Sequence, residues 1–260
     1  MRETAVRIQR KIAESEVLMH EPTAELRSRR VGAVAPWWHT ALLMVLLIAG
    51  SLLSSRQAHS HALGAHHVHR YLVGIAGEWI FLLLACWGLR MKRVAMPELL
   101  GFRRGLHALA EDVGFAAVFW VTAAIILVVI GLLLRLVHLS TPQQTLMAIA
   151  PRTPVEMLLW LILSTSAGFC EEFAFRGYFL RQFASTWGGI WMGVVCSSLL
   201  FGISHGYEGA AGMIAITAYG AMFCVLALTR KSLRPGMIAH AWHDIFSGVM
   251  LALLAHFHPM

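Results

Sequence analysis

The sequence predicts an all-α, polytopic transmembrane helical bundle of about seven spans, with its N-terminus in the cytoplasm. Three observations predict it. Of 260 residues, 58% are hydrophobic and 13% are charged, with a mean hydropathy of +0.65, whereas an average soluble domain is about 25% charged. The apolar residues gather into stretches close to the roughly 20 that a helix needs to cross hydrocarbon. Basic residues are also distributed unequally. With the N-terminus inside, seventeen of the 21 Lys and Arg lie on inner segments, and only Arg56, Arg70, Arg135 and Arg152 lie on outer ones, as the positive-inside rule requires. This pattern excludes an ordinary soluble enzyme, a disordered tail and a disulfide scaffold.

Each element can be justified in order. Residues 1–36 are polar, with seven Lys/Arg against five Glu, and read as a cytoplasmic extension too long and too acidic for the n-region of a signal peptide. Residues 37–140 form the N-terminal transmembrane part. Its first span lies near 37–55, inside 25 uncharged residues between Arg30 and Arg56. The second lies near 71–89 with one acid, Glu78, and the third fills the 22 uncharged residues between Asp112 and Arg135. The stretch 94–112 between the last two reads as an amphipathic interfacial helix. A second transmembrane domain covers 150–255. Its spans start after Pro154, run from Gly188–Gly189 to about Gly206, cover 209–229, and open again at Pro235, since proline suits a first helical turn.

The net charge of +7 is explained by inner-face basic residues and their attraction to anionic lipid. No basic stripe interleaved with aromatics lies outside the spans, so nucleic acid is not an expected partner; the lipid bilayer is. Cys86, Cys170, Cys196 and Cys224 all lie in apolar segments without a CxxC pair and read as small core residues.

Ionisable groups inside a membrane are costly, and each calls for a partner and a purpose. The densest set is Glu171-Glu172-Phe173-Ala174-Phe175-Arg176. Glu172 and Arg176 are i,i+4 on a helix and can pair. Glu171 points about 100° away and need not be neutralised by that arginine. Phe201 and His205 are likewise i,i+4, so the ring can wall one side of the imidazole. His240 and Asp244 share a helical face early in the last span, with His243 close by. A glutamate pair, a histidine and a histidine–acid pair on three apolar helices suit general-base hydrolysis, in which a carboxylate activates water and donors hold the oxyanion.

The ordered motifs EExxxR (Glu171 to Arg176), FxxxH (Phe201 to His205) and HxxxN/D (His240 to Asp244) resemble those of the CPBP intramembrane proteases, the CAAX-prenyl-protease-2 and bacteriocin-processing (Abi) group. The resemblance covers about 150–255. It implies an intramembrane endopeptidase in a bacterial inner membrane, cutting a membrane-associated peptide or protein such as a prenylated CAAX tail. It also implies Glu171 as the water-activating base assisted by His205, His240 and Asp244 as oxyanion stabilisers, and Glu172 with Arg176 as support. Many members carry asparagine where this chain has Asp244. An ionised aspartate repels an oxyanion, so Asp244 must be protonated or must act by orienting His240.

Two mechanisms stay open on residue types alone. Glu171, His205 and His240 would make a His₂Glu zinc set, and the same motifs fit a metal-free glutamate mechanism. Straight-helix counting also puts Glu171 near the inner face and His205 near the outer face, on the order of 20 Å apart. Bringing them together requires the fourth span to continue through Arg176 and Arg181 and the fifth to extend past His205. Finally, His59, His61, His66, His67 and His69 form either a metal-capturing loop or a solvated one. They support a rival reading as a divalent-metal transporter with Glu78, Glu171 and Glu172 along the ion path, although no inverted repeat accompanies it. A non-enzymatic scaffold is the third reading, and it has no need of an unpaired Glu171.

Overall fold

A computed structural model of the chain describes residues 32–59, 67–140, 147 and 149–257. Most of the N-terminal extension and of the histidine-rich loop lies outside these residues. The helices in chain order are α1 (Trp37–His59), α2 (His67–Met91), α3 (Met96–Leu100), α4 (Leu106–Leu136), α5 (Pro154–Glu172), a π-helical segment (Phe173–Phe179), α6 (Leu180–Thr186), α7 (Ile190–Ser204), a 3₁₀ turn (Gly206–Glu208), α8 (Gly209–Arg230) and α9 (Arg234–Phe257). Among the described residues there is no strand. Among the described residues six helical stretches are long and apolar enough to cross a membrane, and α7 is too short to count with them.

The centre of the bundle is the continuous rod Pro154–Thr186, built from α5, the π segment and α6. Its most apolar window is 56% buried, against 6% for that of α4, so α5 is the protein-facing helix and α4 the lipid-facing one. Large apolar side chains such as Val118, Ile125, Val128 and Leu132 are exposed on α4; in water such a face would be an aggregation surface, and in a bilayer it is solvated by acyl chains. The rod begins where the sequence T-P-V-E dictates. Thr153 caps the backbone N–H of Glu156 at 3.2 Å, the Glu156 carboxylate accepts from the Thr153 N–H at 3.2 Å, and Pro154 takes the first turn. Around it pack α2, α9 and, through α6, α7. Phe173, Tyr178, Phe179, Phe183 and Phe201 form the fully buried centre.

Two details differ from the expectations above. The stretch 94–112 is divided. Only Met96–Leu100 is a separate helix, closed by Gly101 at φ +62°, and after Gly105 at φ +99° the chain enters α4. Glycines in the left-handed region break a helix at low steric strain, so the last residues of that stretch join the third span. The fourth span does continue through Arg176 and Arg181. The fifth does not extend past His205: α7 stops at Ser204 after 15 residues, a rise of about 22 Å against roughly 30 Å of hydrocarbon. The Ser204 hydroxyl donates to the Phe201 carbonyl at 2.7 Å, which competes with the helical ladder. Ser51 of α1 then holds the turn, donating to the Ile203 carbonyl at 2.6 Å and accepting from the Gly206 N–H at 3.1 Å. The turn carrying His205 therefore ends a helix too short to span.

At one end of the bundle the buried Asp112 gathers Arg103 at 3.3 Å, Arg230 at 3.6 Å and Arg234 at 3.4 Å. These ion pairs tie the start of α4 to the α8–α9 corner. Toward the middle, α5 and α9 approach so closely that a Cβ on Gly168 would stand 2.8 Å from the Met237 carbonyl oxygen and 2.9 Å from the Ala241 nitrogen. Gly168→Leu is therefore expected to destabilise the bundle by about 1–3 kcal/mol through overpacking, read as a lowered thermal midpoint in detergent.

Candidate active site

The π segment begins directly after Glu171 and Glu172, the last residues of α5. Its wider turn, seen in the bond from the Leu180 N–H to the Phe175 carbonyl, is a rare device that clusters at functional sites. It lets a run of large aromatic residues and Arg176 pass through the centre of the bundle without leaving the rod.

Glu172 has no exposure to solvent. Its Oε1 pairs with Arg176 Nη1 at 2.8 Å and accepts from His240 Nδ1 at 3.0 Å. Gly236 makes room for it, since a Cβ there would lie 2.9 Å from Glu172 Oε2. The Arg176 guanidinium lies over the rings of Phe201 and Phe223, 4.3 and 4.8 Å from their centroids, and Nη2 donates to the Gly220 carbonyl at 3.3 Å. The arginine is thus neutralised by one acid and covered by two aromatic faces.

The histidine of the third motif is oriented from the same carboxylate. A carboxylate only accepts, so the Glu172 contact makes Nδ1 of His240 a donor. The ring stacks on Phe223 at 5.3 Å and 27° and meets Phe201 edge-on at 6.0 Å. Nε2 is then aimed between Glu171 Oε2 and Asp244 Oδ2, each 3.7 Å away. Asp244 is held in register by α9, whose backbone carbonyl at that residue accepts from Trp160 Nε1 of α5 at 2.8 Å.

The structure thus gathers Glu171, Glu172, Arg176, His240 and Asp244 within a few ångströms. His205 stands beside them, its ring 4.9 Å from that of Phe201 by centroids. Its Nδ1 donates to the Phe201 carbonyl at 2.9 Å, which leaves Nε2 with a free lone pair. His243 is not part of this group; its ring lies against Tyr219 at 5.0 Å. Among the described residues no group of three or more His, Cys, Asp or Glu side chains is placed to hold a metal ion. Both imidazoles are engaged through Nδ1, His240 by Glu172 and His205 by the Phe201 carbonyl, which leaves Nε2 as the remaining nitrogen of each.

Sequence reasoning placed Glu78 only on the ion path of the transporter reading and did not single out Tyr207 and Glu208. Glu78 of α2 lies near enough to Glu171 for the charges of the two carboxyls to interact. Tyr207 and Glu208 lie on the 3₁₀ turn beside His205, the Tyr207 ring 5.9 Å from the imidazole by centroids. Glu78 was visible as the single acid of an otherwise uncharged span, but Glu171 lies 93 positions further on. Tyr207 and Glu208 carried no signal beyond adjacency to His205.

Removing Arg176 would leave Glu172 as a buried, uncompensated charge. Arg176→Ala is expected to lower stability by about 3–5 kcal/mol, read by thermal unfolding in detergent. Arg176→Lys should recover only part of this, because an ammonium does not match a planar group held between two rings.

Residues 153–246 match the family model described as Rce1-like, type II CAAX prenyl endopeptidase. The matched stretch contains all three motifs. No curated protein and no solved structure matches the chain.

Proposed function

We propose that this chain, which belongs through residues 153–246 to the Rce1-like family of type II CAAX prenyl endopeptidases and is a membrane-embedded protease, hydrolyses its substrate with water activated by Glu171. The observation that carries this reading is the asymmetry of the glutamate pair. Glu172 is consumed by Arg176 and His240, whereas Glu171, 16% exposed in its side chain, faces His240 Nε2 with no arginine of its own.

The steps follow from the groups in place. Glu171 takes a proton from a water beside His240, and the hydroxide forms a bond to the carbonyl carbon of the scissile peptide. Negative charge moves to the carbonyl oxygen as a tetrahedral adduct. His240 stabilises it from Nε2–H, its Nδ1–H remaining bonded to Glu172, so the donor is an imidazolium flanked by carboxylates. The C–N bond then breaks and Glu171 returns its proton to the leaving amine. Asp244 orients His240 and contributes to its positive charge, a role that needs no direct contact with the oxyanion. His205, with Nε2 unengaged, accepts a hydrogen bond from the same water or from the substrate. The substrate we assign is a membrane-associated peptide or protein, with prenylated CAAX tails as the class that the family name supplies.

Two measurements test this. Terminal proteomics on membranes from cells producing wild type or Glu171→Gln at equal levels should yield new peptide ends only with wild type, and a loss of several orders of magnitude in their rate of formation for the variant. Identical ends in both samples would overturn the assignment of Glu171 and favour a scaffold. Exhaustive metal removal should leave the activity intact; a loss restored by added zinc would replace the glutamate mechanism with a zinc one.

A further inference from the structure

We propose that the corner where α3 and the starts of α4 and α9 meet is a binding site for one anionic phospholipid of the cytoplasmic leaflet. Arg103 and Arg104 hold its phosphate, and an acyl chain lies along Leu106, Leu109 and Val113. The site shares no residue with the catalytic group, and the family match, which begins at residue 153, does not reach these five side chains.

The corner encloses an open pocket of about 700 Å³ whose lining includes Phe102, Arg103, Arg104, Leu106, Leu109 and Arg234. Arg234 fixes its wall. Nη1 pairs with the buried Asp112 at 3.4 Å, Nη2 donates to the Arg103 carbonyl at 2.9 Å, and the guanidinium lies 4.7 Å from the Phe102 ring centroid. Arg103 spends only Nη2 on acids, Glu111 at 2.7 Å and Asp112 at 3.3 Å, and its side chain is 44% exposed. Its Nη1 and Nε stay outside these pairs. Arg104 is exposed and takes part in none of the ion pairs of the corner. Residues 97–112 and 230–234 carry five Lys/Arg against Glu98, Glu111 and Asp112, so positive charge remains after the internal pairing. Guanidinium forks with unused donors match the oxygens of a phosphate.

Depth and the apolar wall identify the occupant. The 22 uncharged residues between Asp112 and Arg135 rise about 33 Å, close to the roughly 30 Å of hydrocarbon. Asp112 therefore stands at the edge of the hydrocarbon, and the pocket around Arg103 and Arg104 lies among the headgroups. The distribution of basic residues assigns this end to the cytoplasm, the face where anionic lipids concentrate. Leu106, Leu109 and Val113 follow at i, i+3 and i+7, one stripe of the helix, and are 85%, 42% and 38% exposed. They lead from the pocket onto α4, whose most apolar window is only 6% buried. An acidic soluble partner or a free phosphate would satisfy the arginines and leave this stripe wet. A phospholipid covers both.

The full chain, purified in a non-ionic detergent, is titrated with phosphatidylglycerol and with phosphatidylcholine of the same acyl chains, and bound lipid is counted by native mass spectrometry. Phosphatidylglycerol is expected to saturate one site and to bind about 25-fold tighter than phosphatidylcholine, about fivefold for each arginine beside an anionic lipid. Arg104→Gln, which breaks no ion pair, should weaken phosphatidylglycerol about fivefold. Lys92→Gln, an exposed cation of the same end that does not line the pocket, should leave it unchanged. A large molar excess of inorganic phosphate should not displace the lipid. Equal affinity for the two lipids, or an equal loss from Lys92→Gln and Arg104→Gln, would show a diffuse surface attraction and overturn the site. Displacement by inorganic phosphate would overturn the lipid as its occupant. Should Arg104→Gln not fold, the comparison of the two lipids on wild type carries the decision.

Discussion

A carboxylate withdrawn from solvent, Glu172, is held between the Arg176 guanidinium at 2.8 Å and the His240 imidazole at 3.0 Å. In hydrocarbon this anion persists only because a cation of the same rod and a donor of α9 meet it together. The demand propagates outward. Arg176 must sit on the π segment, its faces must be covered by Phe201 of α7 and Phe223 of α8, and α9 must come close enough at Gly236 for the carboxylate to reach. Four elements are thereby fixed around one charge. The orientation of the His240 ring follows from it, and with that the direction in which Nε2 points.

The second constraint is depth. Hydrolysis within a membrane needs polar groups below the surface, yet a helix that crosses completely would carry its terminal histidine to the opposite face. The chain avoids this with α7, which ends after 15 residues and turns back through Gly206–Glu208 into α8, secured to α1 by Ser51. The separation of on the order of 20 Å expected from straight spanning helices is removed by shortening one helix rather than by lengthening it.

Much of this was legible in the residues. Runs without charge locate the spans, T-P-V-E locates the start of α5, and the i,i+4 relation of Glu172 to Arg176 and of His240 to Asp244 survives in the structure because both pairs lie within continuous helical segments. What failed to be legible depended on irregular backbone. Gly101 and Gly105 divide the 94–112 stretch, the π segment is invisible to a 3.6-residue period, and the end of α7 is decided by Ser204 and its neighbours rather than by hydropathy. Glu78 showed as an isolated acid, but no spacing rule connects it to Glu171, since the two approach from different helices.

By itself, the sequence determined that the chain is an all-α membrane bundle, which residues carry charge inside it, and which of them share a helical face. Those properties follow from composition and local periodicity, which the chain possesses before it folds. The tertiary structure decided which carboxylate is paired with Arg176, which nitrogen of His240 that carboxylate accepts from, and which groups the other nitrogen faces. Those depend on distances between helices, and packing around a single buried ion pair, not the order of residues, sets them.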